Sequence, residues 1–77
     1  MDIKDFTAKF AELFFDTDPS EFKPDTVFKE LDEWSSLSVI QIIAMADAEY
    51  GVTIDGTIIR NAETIQDLFN AVSELKK

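Results

Sequence analysis

The stretch from Leu31 to Gly51, LDEWSSLSVIQIIAMADAEYG, most constrains the fold of this chain. It joins a loop to the only long apolar segment with helical periodicity, and the glycine at its end is a typical helix C-cap. We therefore predict a helix that begins at Ser35 or Ser36 and ends near Tyr50. Because serine is a preferred N-cap residue, helix capping is the simplest role for the serine pair.

The apolar side chains of this helix fall on two faces, since successive residues are rotated by about 100°. The first face is sufficient to pack onto a small bundle and consists of Val39, Ile42, Ile43, Ala46 and Tyr50. The second face adjoins Gln41 and consists of Leu37, Ile40, Ala44 and Ala48. Periodicity leaves two alternatives open for the second face, which is either buried in the bundle or exposed for a partner.

Three further helices are predicted from amphipathic patterns. The first runs from about Asp2 to Phe15, and a short one lies around Thr57 to Asn61. The last opens with a capping-box-like pair, Thr64 and Asp67. These segments predict an all-α fold, a small four-helix bundle of three longer helices and one short helix, in one domain over residues 1–77.

The predicted bundle has a long first loop, from Asp16 to Trp34. Two proline steps in this segment break helical structure. A loop of about 20 residues is unusual in a compact domain unless it is functional or tied down. We expect a short helical turn at Val27, Phe28 and Leu31 to pin it across the bundle.

The charge of the chain restricts its partners. Formal net charge is −9, and no Lys or Arg occurs between Glu30 and Ile59. Such a surface repels nucleic acids and anionic membranes. Composition leaves two roles open for the acids, which either keep a small protein soluble or attract basic protein surfaces. The N-terminus lacks the layout of a signal peptide, and no apolar run is long enough to span a bilayer. We expect the protein to be cytoplasmic and monomeric.

Cysteine and histidine are both absent from the chain. Their absence excludes disulfides, Cys/His metal sites and nucleophiles activated by histidine. The acidic segments also lack the alternation of acids and glycine that a calcium-binding loop requires. We therefore expect no catalytic residues, no metal site and no enzymatic activity. A serine at a helix start remains a candidate for modification, because the helix N-terminus favours an attached phosphate.

The serine pair and its surroundings resemble those of acyl carrier proteins. That family carries Asp-Ser-Leu at the start of its second helix, where this chain has Ser35-Ser36-Leu37. Trp34 directly precedes the motif, as the tryptophan does in the common family variant Trp-Asp-Ser-Leu. The downstream segment VIQIIAMADAEYGVTI is similar to the family's second helix and the turn after it. The length, acidity and long first loop of the chain are also similar, so the resemblance spans nearly all of it.

The resemblance implies that Ser36 receives a 4′-phosphopantetheine arm from coenzyme A through a separate phosphopantetheinyl transferase. The arm would carry acyl or aminoacyl groups as thioesters to loading and transfer enzymes that have basic docking surfaces. The inward face of the second helix would match family core positions, which can part to shelter an acyl chain. The positions implied to meet partners are Trp34, Ser35, Leu37, Ile40, Gln41, Ala44, Ala48 and Ile54.

The chain departs from the family pattern in two ways, and the first of them supports an alternative. The family's aspartate before the serine is Ser35 here, and Ser38 and Gln41 stand where acids are common. The alternative is a carrier-like bundle that is never modified and serves only as an acidic protein-docking module.

Overall fold

The structure is a computed structural model that describes residues 2–76. Four α-helices and two 3-10 turns make up its regular structure, and no strand occurs within this range. The helices are α1 (Ile3–Ala11), α2 (Ser36–Tyr50), α3 (Gly56–Asn61) and α4 (Ile65–Lys76). The prediction of an all-α bundle with three longer helices and one short helix is confirmed.

The core forms where α1 and α3 each pack against both α2 and α4. Aromatic rings fill much of it, with Phe10 fully buried among three others. The ring centroid of Phe10 lies 5.4 Å from those of Phe14 and Phe28 and 6.1 Å from that of Phe22. Two of these partners, Phe22 and Phe28, come from the long first loop, so the loop is packed into the core.

The first helix ends four residues earlier than predicted, at Ala11 instead of Phe15. The N–H groups of Leu13 and Phe14 bond to carbonyls three residues back, at 3.1 Å each, which tightens the chain and ends the helix. The apolar spacing persists through this tighter turn, so periodicity alone did not reveal the helix end. Phe14 remains in the core, whereas the side chain of Phe15 is 89% exposed.

The first loop is held in place by side-chain packing and by backbone hydrogen bonds. As predicted, Phe28 opens a short helical turn, the 3-10 turn Phe28–Glu30, and is fully buried. Val27 was expected to help pin the loop, but its side chain is 40% exposed; Phe22, which the sequence pattern did not single out, is buried instead. The loop also accepts two backbone bonds from the start of α4, whose first N–H groups would otherwise lack partners.

The fourth helix begins with the predicted capping box. Thr64 Oγ1 accepts the N–H of Asp67, and Asp67 Oδ2 accepts the N–H of Thr64, both at 3.1 Å. The second helix ends at Tyr50 and is capped by Gly51, whose φ of 66° lies in the left-handed region that favours glycine. These local signals explain why both boundaries were predicted correctly.

Candidate functional site

The loop becomes α2 at the serine pair, with Ser35 as N-cap and Ser36 as first helical residue. The backbone N–H of Ser35 donates to Ser38 Oγ at 3.2 Å, in a capping-box arrangement. The N–H of Ser38 in turn donates to the carbonyl of Ser35 at 3.0 Å. The Ser38 side chain is 4% exposed and therefore serves the helix start and not the surface. Ser38 lies three residues after the N-cap, which is the spacing of a capping box, so this role could have been predicted from the sequence.

Both serines are exposed, but only Ser35 is bonded to Ser38 at the helix start, through its backbone N–H and carbonyl. Within residues 2–76, the hydroxyl of Ser36 makes no hydrogen bond to another group. It lies at the positive end of a 15-residue helix whose first turn contains no acidic residue. A phosphate ester at this position would be favoured by the helix dipole and by free N–H groups of the first turn. The geometry therefore fits covalent attachment of a phosphate-linked group at Ser36 Oγ.

Trp34 anchors the chain directly before the serines. Its ring packs on Phe28 with centroids 5.1 Å apart and is stacked on Phe14 at 6.5 Å. The side chain is partly buried against the core. Trp34 therefore positions the start of α2, and only its exposed part is available to a partner.

Glu33, next to Trp34, holds the same segment through hydrogen bonds that sequence patterns did not indicate. Its Oε1 accepts the backbone N–H of Asp16 at 2.9 Å and the hydroxyl of Thr17 at 2.8 Å. The start of the long loop is thus bound to its end, two residues before the N-cap. The site stands on a loop segment held by both aromatic packing and hydrogen bonds.

The second face of α2 is exposed, which decides between the two alternatives that periodicity left open. Leu37 and Ile40 are 60% and 63% exposed, whereas Ile42 is fully buried on the first face. Ala44 and Ala48 are also exposed, and Gln41 is partly buried. The face thus runs along the helix from Ser36, with a groove of about 360 Å³ between it and α1.

Ile54 does not share this surface, contrary to expectation. It is 3% exposed and belongs to the core together with Val52. After Gly51 buried and exposed residues alternate, with Val52 and Ile54 buried and Thr53 and Asp55 exposed to solvent. Ile54 offers no surface to a partner in this structure.

Comparison with known proteins agrees with this geometry. The chain matches the family model for the phosphopantetheine attachment site over residues 5–72 and belongs to this family. Neither a curated protein nor a solved structure gave a significant match.

Membership in this family defines the general role and the cofactor. Its domain is the site of covalent 4′-phosphopantetheine attachment, and its members are carriers and not catalysts. Carrier domains interact with the enzymes that modify them and with those that handle their acyl groups. Within the described residues, no helix is both long and apolar enough to cross a membrane.

Proposed function

We propose that this chain is an acyl carrier protein whose Ser36 bears the 4′-phosphopantetheine arm. The observation that carries the proposal is the exposed, unbonded hydroxyl of Ser36 at the start of α2, inside the family match. Ser35 is the less suitable residue, because it is the N-cap and is held against Ser38.

The residues of the chain would present the hydroxyl and would not activate it. No histidine or cysteine exists to take the proton from Ser36, so the transferase must supply the base. The N-terminus of α2 then stabilises the negative phosphodiester. When bound, the arm supplies a thiol that holds a carboxylic acid as a thioester. Trp34 and Glu33 keep the attachment point at a fixed place on the bundle.

The exposed face of α2 would contact the enzymes that use the arm. Leu37 and Ile40 lie one and four residues after Ser36, so an enzyme that approaches the arm meets their side chains. The surrounding segment, Glu30 to Ile59, has six acids and no base. This pattern suits partner enzymes with apolar contacts and basic rims, which load acyl or aminoacyl groups and transfer them.

Intact mass after incubation with coenzyme A, Mg²⁺ and a broad-specificity phosphopantetheinyl transferase tests the proposal. We expect a gain of one phosphopantetheine in the wild type and in Ser35→Ala. Ser36→Ala should show no gain while its circular dichroism spectrum stays that of the wild type. If Ser35→Ala gains no mass while Ser36→Ala still gains one phosphopantetheine, the assignment to Ser36 is overturned.

The same experiment addresses the unmodified docking module. The feature that favours this second function is Ser35, which replaces the family's aspartate and removes a carboxylate beside the reacting hydroxyl. A folded wild type that gains no mass, while a known carrier is modified in parallel, would favour the docking module. Modification of Ser35→Asp under those conditions would identify the missing carboxylate as the cause.

A further inference from the structure

Phe15 is the most exposed large apolar side chain in residues 2–76, with 89% of its surface accessible. It follows Phe14, which is 3% exposed, so the end of α1 buries one ring and presents the next to solvent. An exposed aromatic ring is the kind of side chain that anchors protein interfaces. Nothing in the core accounts for a phenylalanine at this position.

The position of Phe15 relates it to the proposed attachment site. Phe14 stacks on Trp34, and the N–H of Asp16 bonds to Glu33, so both neighbours of Phe15 are tied to the segment before Ser36. Glu33 is three residues before Ser36, a separation that the backbone spans in at most about 11 Å. Phe15 is therefore presented from the end of the bundle that holds the site.

A groove lined by acidic side chains includes Asp16, the residue after Phe15. It has a volume of about 460 Å³ and lies between the start and the end of the first loop. Its carboxylates come from Asp16, Glu21, Glu30, Asp32 and Glu33. The groove begins next to Phe15 in the chain, because Asp16 is one of its lining residues. Its charge complements an apolar contact flanked by arginine or lysine.

We propose that Phe15 and this groove form a docking surface for the phosphopantetheinyl transferase that modifies Ser36. The inference rests on the proposed function of Ser36. The transferase must reach Ser36 Oγ itself, whereas enzymes that use the cargo reach it through a long arm. A standard interface covers about 800 Å² on each partner, equivalent to a disc of about 16 Å radius. A footprint of that size around Ser36 includes Glu33, to which the Phe15–Asp16 step is bound through the N–H of Asp16.

Loading kinetics with a broad-specificity phosphopantetheinyl transferase test this surface. In Phe15→Ala we expect KM for the carrier to rise by about fivefold or more, with kcat unchanged, because docking and not chemistry is affected. The side chain is exposed, so the variant should melt at the wild-type temperature. Leu75→Ala is the matched control: Leu75 is 50% exposed but lies in the last turn of α4, and its KM should stay within about twofold of wild type.

A groove variant, Glu30→Gln with Asp32→Asn, tests the charge of the partner. We expect its KM to exceed that of the wild type at low salt and to approach it as salt is added. A KM in Phe15→Ala equal to that of Leu75→Ala would overturn the docking surface while leaving Ser36 as the attachment site.

A binding measurement separates this proposal from the proposed function. The Ser36→Ala chain cannot be loaded at that residue, but it should still bind the transferase. Adding Phe15→Ala to it should raise Kd by about fivefold or more. If the wild type gains no phosphopantetheine and Phe15→Ala still weakens binding, the docking surface stands and the proposed function fails. An unchanged Kd in the double variant, or no binding by any form, would overturn the docking surface.

Discussion

The backbone N–H of Ser35 donates to the Oγ of Ser38 at 3.2 Å. This bond gives Ser35 and Ser38 a structural role at the start of α2 that Ser36 does not share. Ser35 and Ser38 hold the first turn, and the side chain of Ser38 is nearly inaccessible. Ser36 lies between them and keeps an exposed hydroxyl without a hydrogen bond within the described range. The structural role and the proposed chemical role therefore belong to different residues of the same turn.

Ser38→Ala should lower the free energy of unfolding by about 1 kcal/mol, because the N–H of Ser35 loses its acceptor at the helix start. Urea unfolding followed by circular dichroism measures the change. Ser73→Ala serves as control, since Ser73 lies within α4 and caps no helix. A loss in Ser38→Ala no larger than that in Ser73→Ala would show that this bond contributes nothing to stability.

Phe28→Ala should lower the free energy of unfolding by about 3–5 kcal/mol, because it leaves a cavity under the first loop. Phe28 is fully buried and packs against both Phe10 and Trp34. A domain of this size has a total stability of about 4–12 kcal/mol, so the loss is a large part of it. Thermal unfolding should show a marked fall in melting temperature.

The neighbouring residue provides the control for this substitution. Val27 is 40% exposed, and Val27→Ala should cost less than about 1 kcal/mol. Equal losses in the two variants would mean that burial of the Phe28 ring does not anchor the loop.

Local patterns were sufficient to predict the four helices and most of their boundaries. The capping pair Thr64 and Asp67 and the C-cap Gly51 act through bonds or dihedral angles within a few residues, which the sequence displays directly. The predicted end of α1 was wrong because an α-helix and a tighter turn can both bury apolar residues at this spacing. The tighter turn after Ala11 carries Phe14 onto rings of the first loop, a tertiary contact that helical spacing does not display.

Only those parts of the candidate site that depend on neighbouring residues in the sequence could be predicted. Ser36 was recognised from its motif at a helix start, and its role remains a prediction. Ile54 was counted among the partner positions only through the resemblance, which does not display the burial of this side chain, and its contact with a partner stays a prediction. Glu33 and Phe15 were missed because their surroundings depend on contacts between residues about 17 positions apart.

Added salt should raise the melting temperature, because the folded chain concentrates a net charge of −9 in a small volume. The screening length falls from about 30 Å at 0.01 M to about 10 Å at 0.1 M salt, which spans the dimensions of the molecule. Thermal unfolding across that range of NaCl measures the effect. Sucrose at matched osmolality is the control for general solute effects. A melting temperature that stays constant or falls with NaCl would contradict this prediction.

Asp67→Asn should make stability less dependent on pH in the acid range. Hydrogen bonds from the backbone N–H groups of Thr64 and Glu63, both 3.1 Å long, lower the pKa of Asp67 below its ordinary value of 3.8. A carboxylate with a lowered folded pKa stabilises the fold above its unfolded pKa, and this stabilisation is lost as pH falls through the folded pKa. The wild type should therefore melt above Asp67→Asn at pH 7, and the difference should shrink well below pH 3.8. A constant difference between wild type and Asp67→Asn across the pH range would mean that the charge of Asp67 does not stabilise the capping box.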